Sequence, residues 1–148
     1  MCTITVAGSV AVGKSTIIQS YLNYAKNSDV KLIESNNRFD FEKTDAVLFV
    51  FDLTSESSLY EINQLYRGYT SVRQPKCLHW LIGNKNDKMR DIEIEKCTEF
   101  ARNKSCVYRE ISTKNNNDVP NMIESIIQKI KLLNPKQLGP MSDRCISQ

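Results

Sequence analysis

The stretch Gly8-Ser9-Val10-Ala11-Val12-Gly13-Lys14-Ser15 decides the fold, because it matches the pattern GxxxxGK[ST]. Residues 3–7 before it alternate apolar and polar side chains, which predicts a strand, and residues 15–27 after it have helical spacing. In a strand–loop–helix unit of this kind, the loop N–H groups and the positive end of the helix face a bound phosphate. The sequence therefore predicts a phosphate-binding loop.

Two side chains of this loop carry the predicted chemistry. Lys14 is expected to reach the β- and γ-phosphates of a nucleotide, and the Ser15 hydroxyl is expected to ligate Mg²⁺. The glycines allow the backbone to curl around the phosphates. The predicted phosphate-binding residues are Gly8, Ser9, Val10, Ala11, Val12, Gly13, Lys14, Ser15 and Thr16.

Strands and helices are predicted to alternate along the rest of the chain. The predicted strands are 3–7, 30–34, 46–53, 77–83 and 107–111, and the predicted helices are 15–27, one that Ser55 or Ser57 caps, 91–103 and one from 118. In the first helix, Ile18, Tyr21, Leu22 and Ala25 are expected to face the core. The inward residues predicted for the helix 91–103 are Ile94, Cys97, Phe100 and Ala101, and those predicted for the last helix are Ile123, Ile126, Ile127, Ile130 and Leu133. Asn36 and Asn37 are expected to form a turn. The alternation predicts an α/β fold with a mostly parallel sheet of about five strands and helices on both faces.

Composition and length exclude several classes of protein. The 148 residues predict one domain, 1–134, followed by a flexible tail, 135–148. The net charge of +3 is too small to indicate nucleic-acid binding, and five scattered cysteines indicate neither disulfides nor a zinc site. His79 is the one histidine and is expected to be a core residue, so a histidine metal site or triad is hard to assemble.

A second motif, Asn84-Lys85-Asn86-Asp87, follows the predicted strand 77–83. The Asp87 carboxylate can accept two hydrogen bonds from guanine N1–H and N2–H₂, whereas adenine offers neither donor there. Lys85 can lie along the plane of the base, and Asn84 can tie this loop to the phosphate loop. Because ligands bind at the carboxyl ends of parallel strands, the two motifs are expected to meet.

A third motif, Ser112-Thr113-Lys114, follows the last predicted strand. Its backbone N–H groups are placed to meet guanine O6, and the Lys114 side chain is placed to cover the base. The predicted guanine-binding residues are Asn84, Lys85, Asp87, Ser112, Thr113 and Lys114.

Together the three motifs resemble those of the small GTPases of the Ras superfamily, most closely its Ras and Rab branches. GSVAVGKS is similar to the family phosphate loop, NKND to its NKxD and STK to its SAK. The stretch FDLTSESSL at 51–59, EFA at 99–101 and NDV at 117–119 also fit the family pattern. The resemblance implies a P-loop NTPase fold that binds GTP or GDP with Mg²⁺ and acts in signalling or membrane trafficking.

The chain departs from that family between the first helix and the strand at 46. The family needs two strands and two switch loops there, but residues 16–45 leave room for one strand and one loop. Glu34-Ser35-Asn36-Asn37 stands in place of the family DxxG, and Arg38 in place of its water-orienting glutamine. Val10 crowds the position of the attacking water. These differences predict weak or absent GTP hydrolysis.

The last four residues, Cys145-Ile146-Ser147-Gln148, match the prenylation pattern C-a-a-X, with Cys145 as the acceptor of a farnesyl group. One prenyl chain gives weak, reversible anchoring. The expectation is a cytoplasmic protein, with peripheral attachment to the cytoplasmic face of a membrane when Cys145 is lipidated.

Three alternatives remain open from the sequence. The chain could be a nucleotide-free pseudo-GTPase, a scaffold whose edge strand recruits a protein partner by strand addition. It could be a P-loop kinase or ATPase, although Asp87 and Lys114 and the lack of an arginine-rich lid argue against this. It could also be a shortened gene product that has lost an internal segment.

Overall fold

Five strands and four helices alternate along the chain in the computed structural model, which describes residues 2–25, 29–35, 43–72, 76–115 and 117–133. In chain order these elements are β1 (Cys2–Ala7), α1 (Lys14–Tyr24), β2 (Val30–Ser35), β3 (Ala46–Asp52), α2 (Glu56–Val72), β4 (Leu78–Asn84), α3 (Ile94–Asn103), β5 (Val107–Glu110) and α4 (Asp118–Leu133). The predicted alternation of strands and helices is confirmed.

The strands form one sheet in the order β2-β1-β3-β4-β5, and every neighbouring pair is parallel. β3 lies at the centre and is buried along its whole length, which its apolar sequence AVLFVFD explains. Because all five strands run the same way, their carboxyl ends share one edge of the sheet. The loops that follow β1, β3, β4 and β5 therefore gather at that edge.

Two apolar layers cover the sheet, one on each face. Alternate residues of β1 and β3, such as Ile4 and Leu48, pack against α1 and α4. The other face, with Phe49 and Phe51, packs against α2 and α3. Burying each such side chain contributes about 1.5–3 kcal/mol, so the two layers hold the helices against the sheet.

The buried face of α1 differs from the prediction. Leu22 was expected to face the core but is 42% exposed, whereas Ile17 is fully buried. The reason is that Lys14, the first residue of α1, is itself buried in the phosphate loop, which rotates the buried face to Lys14, Ile17 and Tyr21.

A similar difference occurs at the start of α3. The predicted helix began at 91 with Ile94 inward, but α3 begins at Ile94, whose side chain is 48% exposed. Ile92, in the preceding loop, is 1% exposed and takes the core position instead.

One strand, β2, is described between α1 and β3, as the short interval predicted. The predicted turn at Asn36 and Asn37 and the position of Arg38 lie outside the described residues. So do the tail, the domain boundary at 134/135 and Cys145. No helix within the described ranges has both the length and the apolar character that crossing a bilayer would require.

Candidate functional site

The phosphate loop joins β1 to α1 at the carboxyl edge of the sheet. Gly13 stands immediately before α1 with φ of 102°, a left-handed conformation that favours glycine. A Cβ atom on Gly13 would overlap Nδ2 of Asn84. The close approach of the phosphate loop to the loop after β4 therefore depends on glycine at this position.

Lys14 folds back over the phosphate loop. Its side chain is buried, and its ammonium donates a hydrogen bond to the Gly8 carbonyl oxygen. Burial lowers the pKa of Lys14, while the carboxylate of Glu34 acts in the opposite direction. The first-turn N–H groups of α1 have no carbonyl partner within the helix. A partly desolvated cation and these N–H groups form a suitable environment for a phosphate anion.

The two valines of the loop point in opposite directions. Val12 is 1% exposed and anchors the loop in the core, whereas Val10 is 85% exposed. Val10 lines a cleft of about 430 Å³ between the loop and α2, whose polar lining includes Ser57 and Glu61. The structure therefore places the Val10 side chain in this cleft, and its effect on an attacking water stays a prediction.

Ser15 and Thr16 lie in the first turn of α1 and are exposed. Within the described ranges no group of three or more His, Cys, Asp or Glu residues could hold a metal ion. A serine hydroxyl fits Mg²⁺ only when phosphate oxygens and water complete the octahedron. The phosphate groups of a ligand would supply oxygens of this kind.

The last residue of β4, Asn84, and the loop after β4, residues 85–93, are tied to the phosphate loop at two points. Asn84 is 1% exposed; its Nδ2 donates to the Val12 carbonyl oxygen at 2.9 Å, and its Oδ1 accepts from the Lys85 N–H at 2.8 Å. Lys85 Nζ donates to the Ala11 carbonyl oxygen at 3.2 Å. The structure thus shows the contact that the sequence assigned to Asn84.

The same loop is tied to the turn after β5. Asp87 Oδ1 accepts a hydrogen bond from the Ser112 hydroxyl at 2.7 Å, and the Asn86 N–H donates to the Ile111 carbonyl oxygen at 3.1 Å. Lys114 Nζ lies 3.9 Å from Asp87 Oδ2. The hydrogen bond from Ser112 is the largest cause that lowers the pKa of Asp87, so the carboxylate is ionised and can accept further donors.

Asp118, at the start of α4, shapes the turn that holds Ser112, Thr113 and Lys114. Its Oδ2 accepts the Ser112 N–H at 2.9 Å, and the Ser112 hydroxyl accepts the Lys114 N–H at 3.2 Å. Both N–H groups therefore have side-chain partners within the protein. The sequence predicted that three backbone N–H groups face guanine O6. Because those of Ser112 and Lys114 have these partners, we keep the prediction for the N–H of Thr113.

Sequence reasoning gave no role to Asp52, the last residue of β3. Its Oδ2 lies 2.8 Å from Lys85 Nζ, and its Oδ1 accepts from Thr54. Asp52 lies within the stretch FDLTSESSL, but the sequence does not show that it meets a lysine 33 residues away. Only the parallel register, which pairs Asp52 with Asn84, brings the two together.

β2 ends beside the start of the phosphate loop. Glu34 pairs with Val6 and Ser35 with Ala7, so both lie next to Gly8 at the carboxyl edge. Glu34 and Ser35 are the described part of the stretch that the resemblance sets in the place of DxxG. His79, by contrast, lies near the start of β4, away from the site, with Nδ1 3.1 Å from the Tyr69 hydroxyl oxygen, in keeping with a core role.

The chain matches one protein family over much of its length. The model of the Ras family matches residues 33–132, about two thirds of the chain. That match includes the loop after β4 and the turn after β5, while the phosphate loop lies before its first residue.

Individual relatives agree with this match. The Ras-related protein Rab-17 of Mus musculus is 29% identical over 93 residues, which are 61% of this chain and 44% of that protein. The chain therefore spans less than half the length of that relative. The GTP-binding protein Rheb homolog of Dictyostelium discoideum is 27% identical over 175 residues, covering 97% of this chain and 95% of the relative. GTP-binding protein Di-Ras2 of Macaca fascicularis is 26% identical over 61% of this chain and 47% of its own length.

Proposed function

Because this chain belongs to the Ras family, we propose that it is a guanine-nucleotide-binding protein of the small GTPase type. The observation that carries the proposal is the joining of three separate turns by side-chain hydrogen bonds. Asn84 links the loop after β4 to the phosphate loop, and Asp87 links it to the turn after β5. A nucleotide needs one surface for its phosphates and another for its base, and these contacts bring the two together.

The phosphates are proposed to bind residues 8–16. The Lys14 ammonium and the N–H groups at the start of α1 supply positive charge, and the Ser15 hydroxyl is proposed as a protein oxygen ligand of Mg²⁺. When bound, Mg²⁺ would neutralise part of the phosphate charge. Lys14 would then exchange its contact with the Gly8 carbonyl for one with a phosphate oxygen.

The base is proposed to bind between Lys85 and Lys114, with Asp87 at its amide edge. An ionised Asp87 accepts the N1–H and N2–H₂ donors of guanine, and the Thr113 N–H donates to O6. Adenine would leave Asp87 without donors, and unpaired groups of this kind lower affinity by a large factor. The site is therefore proposed to select guanine over adenine.

Titration of the nucleotide-stripped chain with fluorescent GDP and ADP, each with Mg²⁺, tests this proposal. We expect GDP to bind at least about 100-fold more tightly than ADP. Equal affinities would contradict the base assignment, and tighter binding of ADP would favour a P-loop kinase or ATPase.

Hydrolysis of GTP is proposed to be slow. Val10 projects into the cleft beside the loop, and Glu34 with Ser35 replaces the first half of DxxG at the end of β2. We expect a single-turnover rate at or below about 10⁻⁴ s⁻¹, the scale of an unassisted small GTPase. A rate well above this would show that the altered positions do not limit hydrolysis.

Cys145 is proposed as the acceptor of a farnesyl group, which would bring the chain to the cytoplasmic face of a membrane. The support is the sequence pattern alone, because Cys145 lies outside the described residues. Incubation with farnesyltransferase and farnesyl diphosphate, followed by mass spectrometry, should show one added farnesyl group that the Cys145→Ser variant does not acquire. An unmodified wild-type chain would contradict this part of the proposal.

A further inference from the structure

We propose that Asp52 is a positioning residue of the nucleotide site, which holds the Lys85 side chain across the phosphate loop and so slows the release of bound guanine nucleotide. This inference rests on the proposed function and names a residue outside the three motifs. Asp52 is not proposed to touch the nucleotide; it acts through Lys85.

The geometry centres on one ammonium group. Lys85 Nζ lies 2.8 Å from Asp52 Oδ2 and 3.2 Å from the Ala11 carbonyl oxygen. It therefore joins the end of β3 to the phosphate loop, while its backbone belongs to the loop after β4. Three segments of the site are held by a single side chain.

The Asp52 carboxylate and backbone have hydrogen-bond partners besides Lys85. Its Oδ1 accepts hydrogen bonds from the Thr54 N–H at 2.8 Å and from the Thr54 hydroxyl at 2.6 Å. The Asp52 N–H donates to the Ser58 hydroxyl oxygen at 2.9 Å. With Oδ1 and the backbone already engaged, Oδ2 is held in the direction of Lys85.

Both side chains of the pair are partly shielded from solvent, so salt and water screen their attraction less than that of a fully exposed pair. The side chain of Asp52 is 11% exposed and that of Lys85 is 28% exposed. Burial alone would raise the pKa of Asp52, but the hydrogen bonds from Lys85 and Thr54 outweigh it and hold the pKa below its usual range. The carboxylate is therefore ionised at neutral pH, and removing its charge would leave Lys85 without its anionic partner.

We expect a bound nucleotide to leave when the loop after β4 and the phosphate loop move apart. The contact of Asn84 with Val12 and the bridge through Lys85 both oppose this movement. If Asp52 no longer fixes Lys85, the ammonium can leave the Ala11 carbonyl, and the lysine stem no longer holds its place beside the base. We therefore expect nucleotide release to become faster while the fold is kept.

The experiment measures GDP release from the full chain, loaded with fluorescent GDP and chased with excess unlabelled GDP. Asp52→Asn keeps the shape of the side chain but removes its charge, and we expect release about tenfold faster, between the effects of exposed and buried ion pairs. Lys85→Met should accelerate release at least as much. The double variant should release GDP no faster than Lys85→Met alone, because both changes remove the same bridge.

Glu56→Gln is the matched control. Glu56 lies four residues further along the chain and pairs with Lys96 at 2.7 Å, outside the site. This change also turns a lysine-paired carboxylate into an amide, and it should leave the release rate unchanged. Circular dichroism should show that each variant is folded. If Asp52→Asn does not fold, Lys85→Met tests the same bridge by changing its more exposed partner.

Two results would overturn the role of Asp52 alone. The first is GDP release at the wild-type rate in Asp52→Asn. The second is an equal acceleration by Asp52→Asn in the wild-type chain and in the Lys85→Met variant, which would mean that Asp52 supports the fold generally. If the wild-type chain retains no GDP at all, the proposed function fails and the inference fails with it.

Discussion

Gly13 is the residue at which the two halves of the site meet. Its positive φ turns the chain into α1, and the absence of a side chain lets Asn84 reach the Val12 carbonyl. The motif GxxxxGK[ST] predicts a glycine here because the backbone must curl around the phosphates. The structure adds a second requirement, because Asn84 occupies the space that a Cβ would need.

Gly13→Ala should therefore lower stability as well as nucleotide binding. The left-handed conformation of a non-glycine residue and the displaced Asn84 together predict a loss of about 2–4 kcal/mol in the free energy of unfolding, measured in urea. Ala11→Gly is the control, since Ala11 also has a positive φ, of 69°, and glycine accommodates it. Ala11→Gly should be about as stable as the wild type. If Gly13→Ala is also as stable as the wild type, the phosphate loop can move away from Asn84.

Asp87→Ala tests the base contact directly. The change removes the acceptor for guanine N1–H and N2–H₂, so GDP affinity should fall by about 100-fold or more, while weak binding of ADP should be unaffected. Asp91→Ala removes an exposed carboxylate four residues further along and should leave both affinities unchanged. Unchanged GDP affinity in Asp87→Ala would remove Asp87 from the pocket.

At this scale the sequence predicted contacts that a motif carries and missed those that the fold creates. The tie from Asn84 to the phosphate loop was expected and is present. The pair of Asp52 with Lys85 and the bond of Asp118 to the Ser112 N–H were not expected. Which carboxylate meets which donor depends on strand register and loop path, and neither can be read from residue types.

α4 is the element whose packing was best predicted. Its apolar residues recur at helical spacing, and Ile123, Ile126, Ile127 and Ile130 are all buried against the sheet, whereas Leu133, at the end of the predicted stripe, is 49% exposed. The periodicity of α1 was less informative, because the buried Lys14 belongs to a loop whose position only the folded sheet determines. Amphipathic spacing thus predicts a helix face best where no functional loop adjoins it.

Ile123→Ala should measure the contribution of α4 to the fold. Ile123 is fully buried, so its truncation should lower the free energy of unfolding by about 2–5 kcal/mol through lost burial and the cavity left behind. Leu132→Ala is the matched control on the same helix, since Leu132 is 75% exposed and should change stability by less than about 0.5 kcal/mol. Equal effects of the two changes would contradict the packing of α4.

β5 is joined to the loop before α3 by a polar cluster. Glu110 Oε2 accepts hydrogen bonds from the Arg90 guanidinium at 2.8 Å and from the Tyr108 hydroxyl at 2.7 Å. Burial would raise the pKa of Glu110, but the bonds from Arg90 and Tyr108 outweigh it, so the pKa lies below its usual value. The stabilisation from this shift is present at neutral pH and is lost as the pH falls through the lowered pKa.

Glu110→Gln should therefore be less stable than the wild type by about 1 kcal/mol near neutral pH, after allowance for solvent screening of the pair. The difference should narrow as the pH falls below the ordinary glutamate pKa of 4.5 and on through the lowered pKa of Glu110, where the wild type becomes protonated. Urea unfolding at a series of pH values provides the measurement, with Glu56→Gln, at an exposed pair, as the control. A difference that stays constant across this range would show that the charge of Glu110 is not involved.

For the molecule as a whole, the order of elements was enough to predict the class of fold. Alternating strands and helices predicted a parallel sheet, and the five strands of the order β2-β1-β3-β4-β5 confirm it. The similarity to the Dictyostelium Rheb homolog extends over 175 aligned residues, more than the 148 residues of this chain. The relative therefore has residues that this chain lacks.

The central claim is that loops separated along the chain form one guanine-nucleotide site, and the most direct measurement is the identity of the nucleotide that accompanies the purified protein. The chain is purified in Mg²⁺ and denatured, and the supernatant is chromatographed. We predict about one equivalent of GDP or GTP per chain and no adenine nucleotide. A supernatant without guanine nucleotide, from a chain whose melting temperature does not rise when GDP and Mg²⁺ are added, would contradict the claim.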